Sequence, residues 1–230
     1  MSKVVIFGPG DIGQLALFYL RNDSEHDVVA FCSDASAIDS NQAFGLPLVA
    51  FEEVVEKYPP DEFAMFVALS YRDLNALREK KYYEAKGKGY VLISYVCSKS
   101  VMWGDTEIGD NCFIFENQTI QPFVRIGNNV TMWSGNHIGH HSSIGDHCFL
   151  TSHVVVSGHV EIGSSCFLGV NSTLKDGIKL APRTVIGAGA TRLKNTVEGG
   201  VYVGVAANLL SRDGRKLKYF KETNYKKRDS

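Results

Sequence analysis

Aliphatic residues recur at every sixth position from Ile108 to Thr191. They run through Ile114, Ile120, Ile126, Met132, Ile138 and Ile144 and on to Ile186. Half are followed directly by glycine. The residue four places beyond is usually small or β-branched, as at Cys112, Val130, Ser142, Cys148, Val154 and Cys166. A strict fixed period of this kind predicts a parallel β-helix. Each hexad is a short strand and a corner, and three corners close a triangular coil. Coils stack like parallel strands about 4.8 Å apart. Residues eighteen apart in sequence therefore become neighbours on one face. The frame extends weakly upstream through Val96 and Met102 and dissolves after Thr191.

The residues before the beat follow another pattern. Apolar runs at Lys3 to Phe7, Asp27 to Cys32, Leu46 to Val49, Phe63 to Leu69 and Tyr90 to Tyr95 read as strands. Helical spacing appears at Ile12 to Leu20, Glu52 to Tyr58 and Leu74 to Ala85. Alternating β and α elements predict a small parallel sheet with helices on its faces. The chain thus divides into an α/β, Rossmann-like domain over 1–92, a β-helix over 93–204, and a tail over 205–230 with a helix at Asn208 to Tyr219 and a basic end.

Composition narrows the function classes. A net charge of −1 gives a nucleic-acid role no electrostatic support. No apolar run approaches the ~20 residues that span a bilayer, and Met1-Ser2-Lys3 leads into a strand rather than a signal peptide. A cytoplasmic protein without membrane insertion is expected. Cys112, Cys148 and Cys166 fall at the interior position of the hexad and read as core fillers.

Two places carry candidate chemistry. Gly8-Pro9-Gly10-Asp11-Ile12-Gly13 matches G-x-G-x-x-G between a strand and a helix, where glycines let backbone amides approach a phosphate. Asp11 opposes a pyrophosphate at the helix start and suits a cap instead. A nucleotide held near Ser33 and Asp34, its phosphates passing Gly8, Gly10 and Gly13, fits better than a full NAD site. The second place is the corner at His140 and His141, where side chains point outward. Gly158 lies eighteen residues on from His140, within about 5 Å. A bare glycine amide beside an imidazole can serve as oxyanion donor next to a general base. His147, His153 and His159 read mainly as surface or inter-subunit packing. Trimeric β-helix carbonic anhydrases bind zinc through histidines two coils apart on one face. No pair here repeats that pattern, so no metal is expected.

With these residues the whole chain resembles the sugar-nucleotide N-acyltransferases of the left-handed β-helix superfamily, the group that includes the bacillosamine-pathway and perosamine N-acetyltransferases. The resemblance rests on GPGDIG, the hexad prism, the Gly139-His140-His141 corner and the Val201 to Val205 segment. It implies a left-handed coil, a homotrimer with sites between subunits, a nucleoside-diphosphate amino sugar on residues 1–92, and acetyl-CoA between prisms. The catalytic histidine falls on His140, the oxyanion glycine on Gly158, and CoA contacts on Gly158, Val170, Gly187 and Ala188. The sequence departs at His141, where the bacillosamine enzyme has a carboxylate orienting the base; His141, Asn136 or Glu116 takes that part here. It departs also at Trp133 and at Gly204-Val205-Ala206-Ala207. The implied reaction is acetyl-CoA-dependent N-acylation by direct attack. Sugar O-acetylation with the same base and a non-enzymatic trimeric nucleotide-binding scaffold remain alternatives.

Overall fold

The computed structural model describes residues 2–206 and Leu209. The helix expected at Asn208 to Tyr219 and the basic tail lie outside the described residues. The N-terminal part holds β1 (Lys3–Phe7), α1 (Asp11–Asn22), β2 (Asp27–Ser33), β3 (Gln42–Ala43), β4 (Leu46–Ala50), α2 (Val54–Lys57), β5 (Phe63–Val67) and α3 (Ala76–Gly87). The sheet order is β3-β4-β2-β1-β5, parallel except for the β3–β4 hairpin. Connections leave β1 and β5 in opposite directions, so a crevice opens beyond their C-terminal ends, the usual ligand position in open α/β sheets.

Three expectations for this part need correction. The helix over Glu52 to Tyr58 shrinks to the single turn α2. The strand over Tyr90 to Tyr95 reduces to one bridge, Met65 to Leu92, before the coils begin at Tyr95–Val96. Finally, α3 starts two residues later than Leu74, because Asp73, Leu74 and Asn75 all have positive φ, from 50° to 70°. A left-handed turn cannot continue into a right-handed helix.

From Tyr95 the chain winds into a prism of three parallel sheets with seven, six and five strands. From Tyr95 to Arg192 every register shift between coils is eighteen residues, as in Thr119 to His137 to Val155, and only the closing pairing of Val185 with Val201 is shorter, at sixteen. The inward residues form one continuous core that includes Ile114, Met132, Ile138, Leu150, Val156 and Leu168. Outward residues distinguish the faces. An aromatic face presents Tyr95, Phe113, Phe149 and Phe167; a threonine–valine face presents Thr119, His137, Val155 and Thr173; a charged face presents Glu107, Arg125, Glu161 and Lys179.

The corners explain much of the histidine content. Asn111, Phe123, Asn129, His141, His147, His153, His159, Ser165 and Asn171 all have φ between 51° and 66°. Asn and His tolerate the left-handed region better than most residues. The six-residue spacing of His141, His147, His153 and His159 therefore reflects a corner conformation. His140 is outside this set, so its presence needs another explanation.

The N-terminal domain packs on the aromatic face. Tyr19 of α1 lies against Tyr95, Phe113 and Phe115, and Tyr71 against Phe149 and Phe167. Arg78 of α3 is buried at the same junction. Its guanidinium donates to the carbonyls of Asn129, His147 and Cys148, to Thr131 Oγ1 and to Asn75 Oδ1. Burial lowers its pKa to about 10. Beside it runs a polar ladder: Asn111 bonds both backbone groups of Val67, Asn129 accepts from Asn111, and Asn129 reaches His147 Nδ1.

Candidate active site

The threonine–valine and charged faces meet at a corner that carries two columns of residues. One column is His140, Gly158 and Asp176; the other is Phe123, His141, His159 and Gly177. Stacking follows from the eighteen-residue register, with the His159 amide donating to the His140 carbonyl at 2.9 Å and the Gly177 amide to the Gly158 carbonyl at 2.9 Å. A methyl group built on Gly158 would lie 2.8 Å from His140 Cε1, 3.0 Å from its Nε2 and 2.9 Å from Asp176 Oδ2. The missing side chain at Gly158 thus lets the imidazole and the Asp176 carboxylate face each other across two coils. Asp176 was not among the residues expected from sequence, although applying the same spacing twice from His140 leads to it.

The other edge of the ring is also engaged. His140 Nδ1 is 3.1 Å from His141 Nδ1, which leaves Nε2 facing Gly158. His141 stacks on Phe123 at 4.7 Å and on His159 at 4.9 Å, the latter pair within 16° of parallel. Gln121 Oε1 accepts the His140 amide at 2.9 Å. One coil later the position equivalent to Gln121 is Gly139, which has no side chain. Among the described residues nothing accepts from the Gly158 amide; Gly158 itself is buried beneath the exposed side chains of His140 and Asp176.

Asn136 does not take the orienting part expected of it. It is buried at a different corner, donating to the Trp133 carbonyl at 2.5 Å and accepting from the Val154 amide at 2.7 Å. Its position one strand before His140 turns it inward. Of the residues considered for orienting the base, only His141 touches His140; Glu116 accepts from Tyr19 and Ser134 instead.

The glycine turn after β1 has the form a close approach requires. Gly8 has φ 104°, its amide donates to Cys32, and a methyl there would meet the Ala68 carbonyl at 2.8 Å. Gly13 packs against the Gly8 carbonyl with no room for a side chain, whereas Gly10 faces open space. Gly10 is the N-cap of α1 without a side-chain bond, and Asp11 lies exposed in the first turn, so Asp11 is not the cap. Ser33 is buried at the end of β2. Asp34 follows it, with Oδ1 held by Lys81 Nζ at 2.5 Å. Burial pulls the Lys81 ammonium down, but its bonds to Asp34 and Glu84 outweigh this and raise its pKa. Lys81, which sits over the rings of Phe7 and Phe51, carried no sequence signal beyond a helix charge.

Comparison with known proteins agrees with this architecture. The family model described as the hexapeptide repeat of succinyl-transferase matches residues 159–191. No curated protein matches the chain by sequence. Among solved structures the chain is similar to PerB from Caulobacter crescentus in complex with CoA and GDP-perosamine, with 22% identity over 90% of this chain and 97% of that one and a TM-score of 0.78. It is similar to the acetyltransferase domain of PglB from Neisseria gonorrhoeae, with 17% identity over 89% and 97% of the two chains and a TM-score of 0.76. A third is WeeI from Acinetobacter baumannii, with 17% identity over 89% and 97% and a TM-score of 0.61. The fold is a hexapeptide-repeat left-handed β-helix.

Within that fold the remaining expected residues occupy a separate corner. Val170 and Ala188 stack where the aromatic and threonine–valine faces meet, with the Gly189 amide donating to the Val170 carbonyl at 2.8 Å. Both are exposed. Gly187, just before Ala188, donates to the Tyr202 carbonyl at 2.7 Å. The threonine–valine face separates this corner from His140, and the glycine turn of β1 belongs to the domain packed on the aromatic face. One chain therefore does not bring the three groups together. Among the described residues no helix is long and apolar enough to cross a membrane.

Proposed function

We propose that this chain is an acyl-CoA-dependent N-acyltransferase acting on the amino group of a nucleoside-diphosphate-linked amino sugar. Its co-substrate is acetyl-CoA and its base is His140. The observation that carries this reading is the edge of the exposed His140 imidazole placed over the unclaimed amide of the buried Gly158. In this reading the proton of His140 sits on Nδ1, donated to His141 Nδ1 3.1 Å away, and Nε2 is the acceptor. The neutral amine attacks the thioester carbonyl carbon, forming the C–N bond while Nε2 takes the amine proton. The Gly158 N–H stabilises the oxyanion. Collapse breaks the C–S bond, and the imidazolium returns its proton to the departing CoA sulfur. No acyl-enzyme forms, consistent with five free, buried cysteines.

The separation of the groups supports a homotrimer whose site is shared between subunits. In this arrangement Val170, Gly187 and Ala188 of one prism face His140 and Gly158 of the next across the CoA groove. The nucleotide lies in the crevice beyond β1 and β5, against Gly8, Gly10, Asp11, Gly13, Ser33 and Asp34. The solved relatives supply the ligand classes: PerB was crystallised with CoA and GDP-perosamine, and the PglB domain with acetyl coenzyme A.

The test is turnover of matched amino and hydroxy nucleotide sugars with acetyl-CoA. We expect acetylation of the amine and a fall of roughly 10²- to 10⁴-fold in His140→Ala. Preference for the hydroxyl acceptor, or near-normal turnover in His140→Ala, overturns the reading.

A further inference from the structure

The corner holds three histidines where the proposed chemistry needs one base and one orienting partner. Corner conformation lets His159 occupy its position, and the eighteen-residue register sets its ring on His141. One nitrogen from each of His140, His141 and His159 lies within 4.8 Å of the others, and all three rings are exposed. The His140–His141 Nδ1 separation is 3.1 Å. Tetrahedral zinc with bonds of about 2.0–2.1 Å places its ligand nitrogens roughly 3.3 Å apart. The first two donors are thus already at chelating distance. The His159 ring is 5.0 Å from His140 and 4.9 Å from His141, centre to centre, and as an exposed side chain it can turn to close the set.

The neighbouring groups favour a cation. Asp176 supplies a carboxylate on the Nε2 side of His140. Beyond His159 the next position is Gly177, which has no side chain and nothing within 4 Å of where one would begin, leaving room for water as a fourth ligand. Three imidazoles and an open position suit zinc, cobalt or nickel and do not suit magnesium.

We infer that His140, His141 and His159 form a site for a divalent transition-metal ion, and that filling it switches off acyl transfer. An imidazole has two nitrogens. A metal on Nδ1 of His140 displaces the proton to Nε2, the nitrogen facing Gly158. Nε2 can then donate a hydrogen bond but cannot accept the amine proton. The ion acts as an inhibitor rather than a cofactor.

The inhibitory half rests on His140 being the base; the binding half does not. The full-length protein, freed of metal by chelation, is titrated calorimetrically with Zn²⁺ or Co²⁺, with Mg²⁺ as control. We expect one ion per chain, no Mg²⁺ binding, and inhibition of acetyl transfer by Zn²⁺ that excess chelator reverses. His159→Phe preserves a planar ring on His141 and removes the ligand nitrogen. His159→Gln serves the same purpose if the phenylalanine variant folds poorly. Each should lose about 10-fold or more in Zn²⁺ affinity, at least the cost of losing a supporting contact, and should keep its metal-free turnover while escaping inhibition. Absence of saturable binding, or wild-type affinity in both His159 variants, overturns the site. Stoichiometric binding without inhibition overturns the switch. Near-normal turnover in metal-free His140→Ala would instead defeat the proposed base and leave the binding result standing.

Discussion

Replacing Gly158 with alanine tests the reaction geometry with one methyl group. Gly158 does not have a left-handed φ, so alanine suits its backbone, and the amide N–H is retained. The new Cβ would lie 2.8 Å and 3.0 Å from His140 atoms and 2.9 Å from Asp176 Oδ2, several tenths of an ångström inside ordinary contact. These obstacles are the ends of exposed side chains, so they yield and the fold does not. The imidazole tilts away and Nε2 moves by about 1 Å, a displacement that costs roughly 10²-fold in rate when it separates reacting atoms. That corresponds to about 2.7 kcal/mol of transition-state stabilisation. Steady-state kinetics should show kcat/KM falling by about 10- to 100-fold, with a melting temperature within roughly 2 °C of the parent. Gly139→Ala is the control. Its Cβ would meet the backbone of Ser157 and Gly158 at 2.5–2.7 Å, where nothing can yield without moving a strand, so it should lower the melting temperature as well as the rate. If Gly158→Ala turns over at the parent rate, proton transfer does not occur through His140 Nε2 above this glycine.

Three further outcomes follow from the same contacts. Arg78→Met leaves buried carbonyls of Asn129, His147 and Cys148 without their donor, and denaturant unfolding should show a loss of about 3–5 kcal/mol; a change under about 1 kcal/mol would mean that water replaces the guanidinium. Burial lowers the pKa of His147, with Arg78 adding to the effect and Glu79 and Asp146 opposing it, while Tyr82 and Tyr83 pack on its ring. The unfolded chain therefore binds the extra proton below its ordinary value of about 6.5, so stability is full above that pH and declines as pH falls toward the folded value; His147→Gln should flatten this slope in pH-dependent unfolding, and an unchanged slope would assign it to other groups. Finally, His140→Ala and Gly10→Val chains, each inactive alone, should regain measurable turnover when refolded together, because a shared site can pair an intact corner with a neighbour's intact turn; continued inactivity in verified mixed oligomers would place each complete site within one subunit.

The prism was legible because its period is strict. Once eighteen residues make a coil, the Gly158 position above His140 follows without coordinates, as does the burial of Cys112, Cys148 and Cys166. The same ruler reached Asp176 in principle, but nothing in the sequence shows that Gly158 leaves room for two side chains to meet across it. The N-terminal domain was legible only as alternating elements. The spacing of Leu74 to Ala85 predicted a helix but not which of its charges are buried, and Arg78 and Lys81 both turn inward. Arg78 answers carbonyls at the prism corners, and Lys81 answers Asp34, partners supplied by segments far away in sequence. Asn136 failed for a related reason: a residue's distance along the chain from a base says nothing about which side of a corner it occupies. The histidines show how conformation and chemistry can be separated. Four of them repeat every six residues because a left-handed corner accepts imidazole; His140 breaks that spacing, lies outside the left-handed set, and is the one placed over an unclaimed amide.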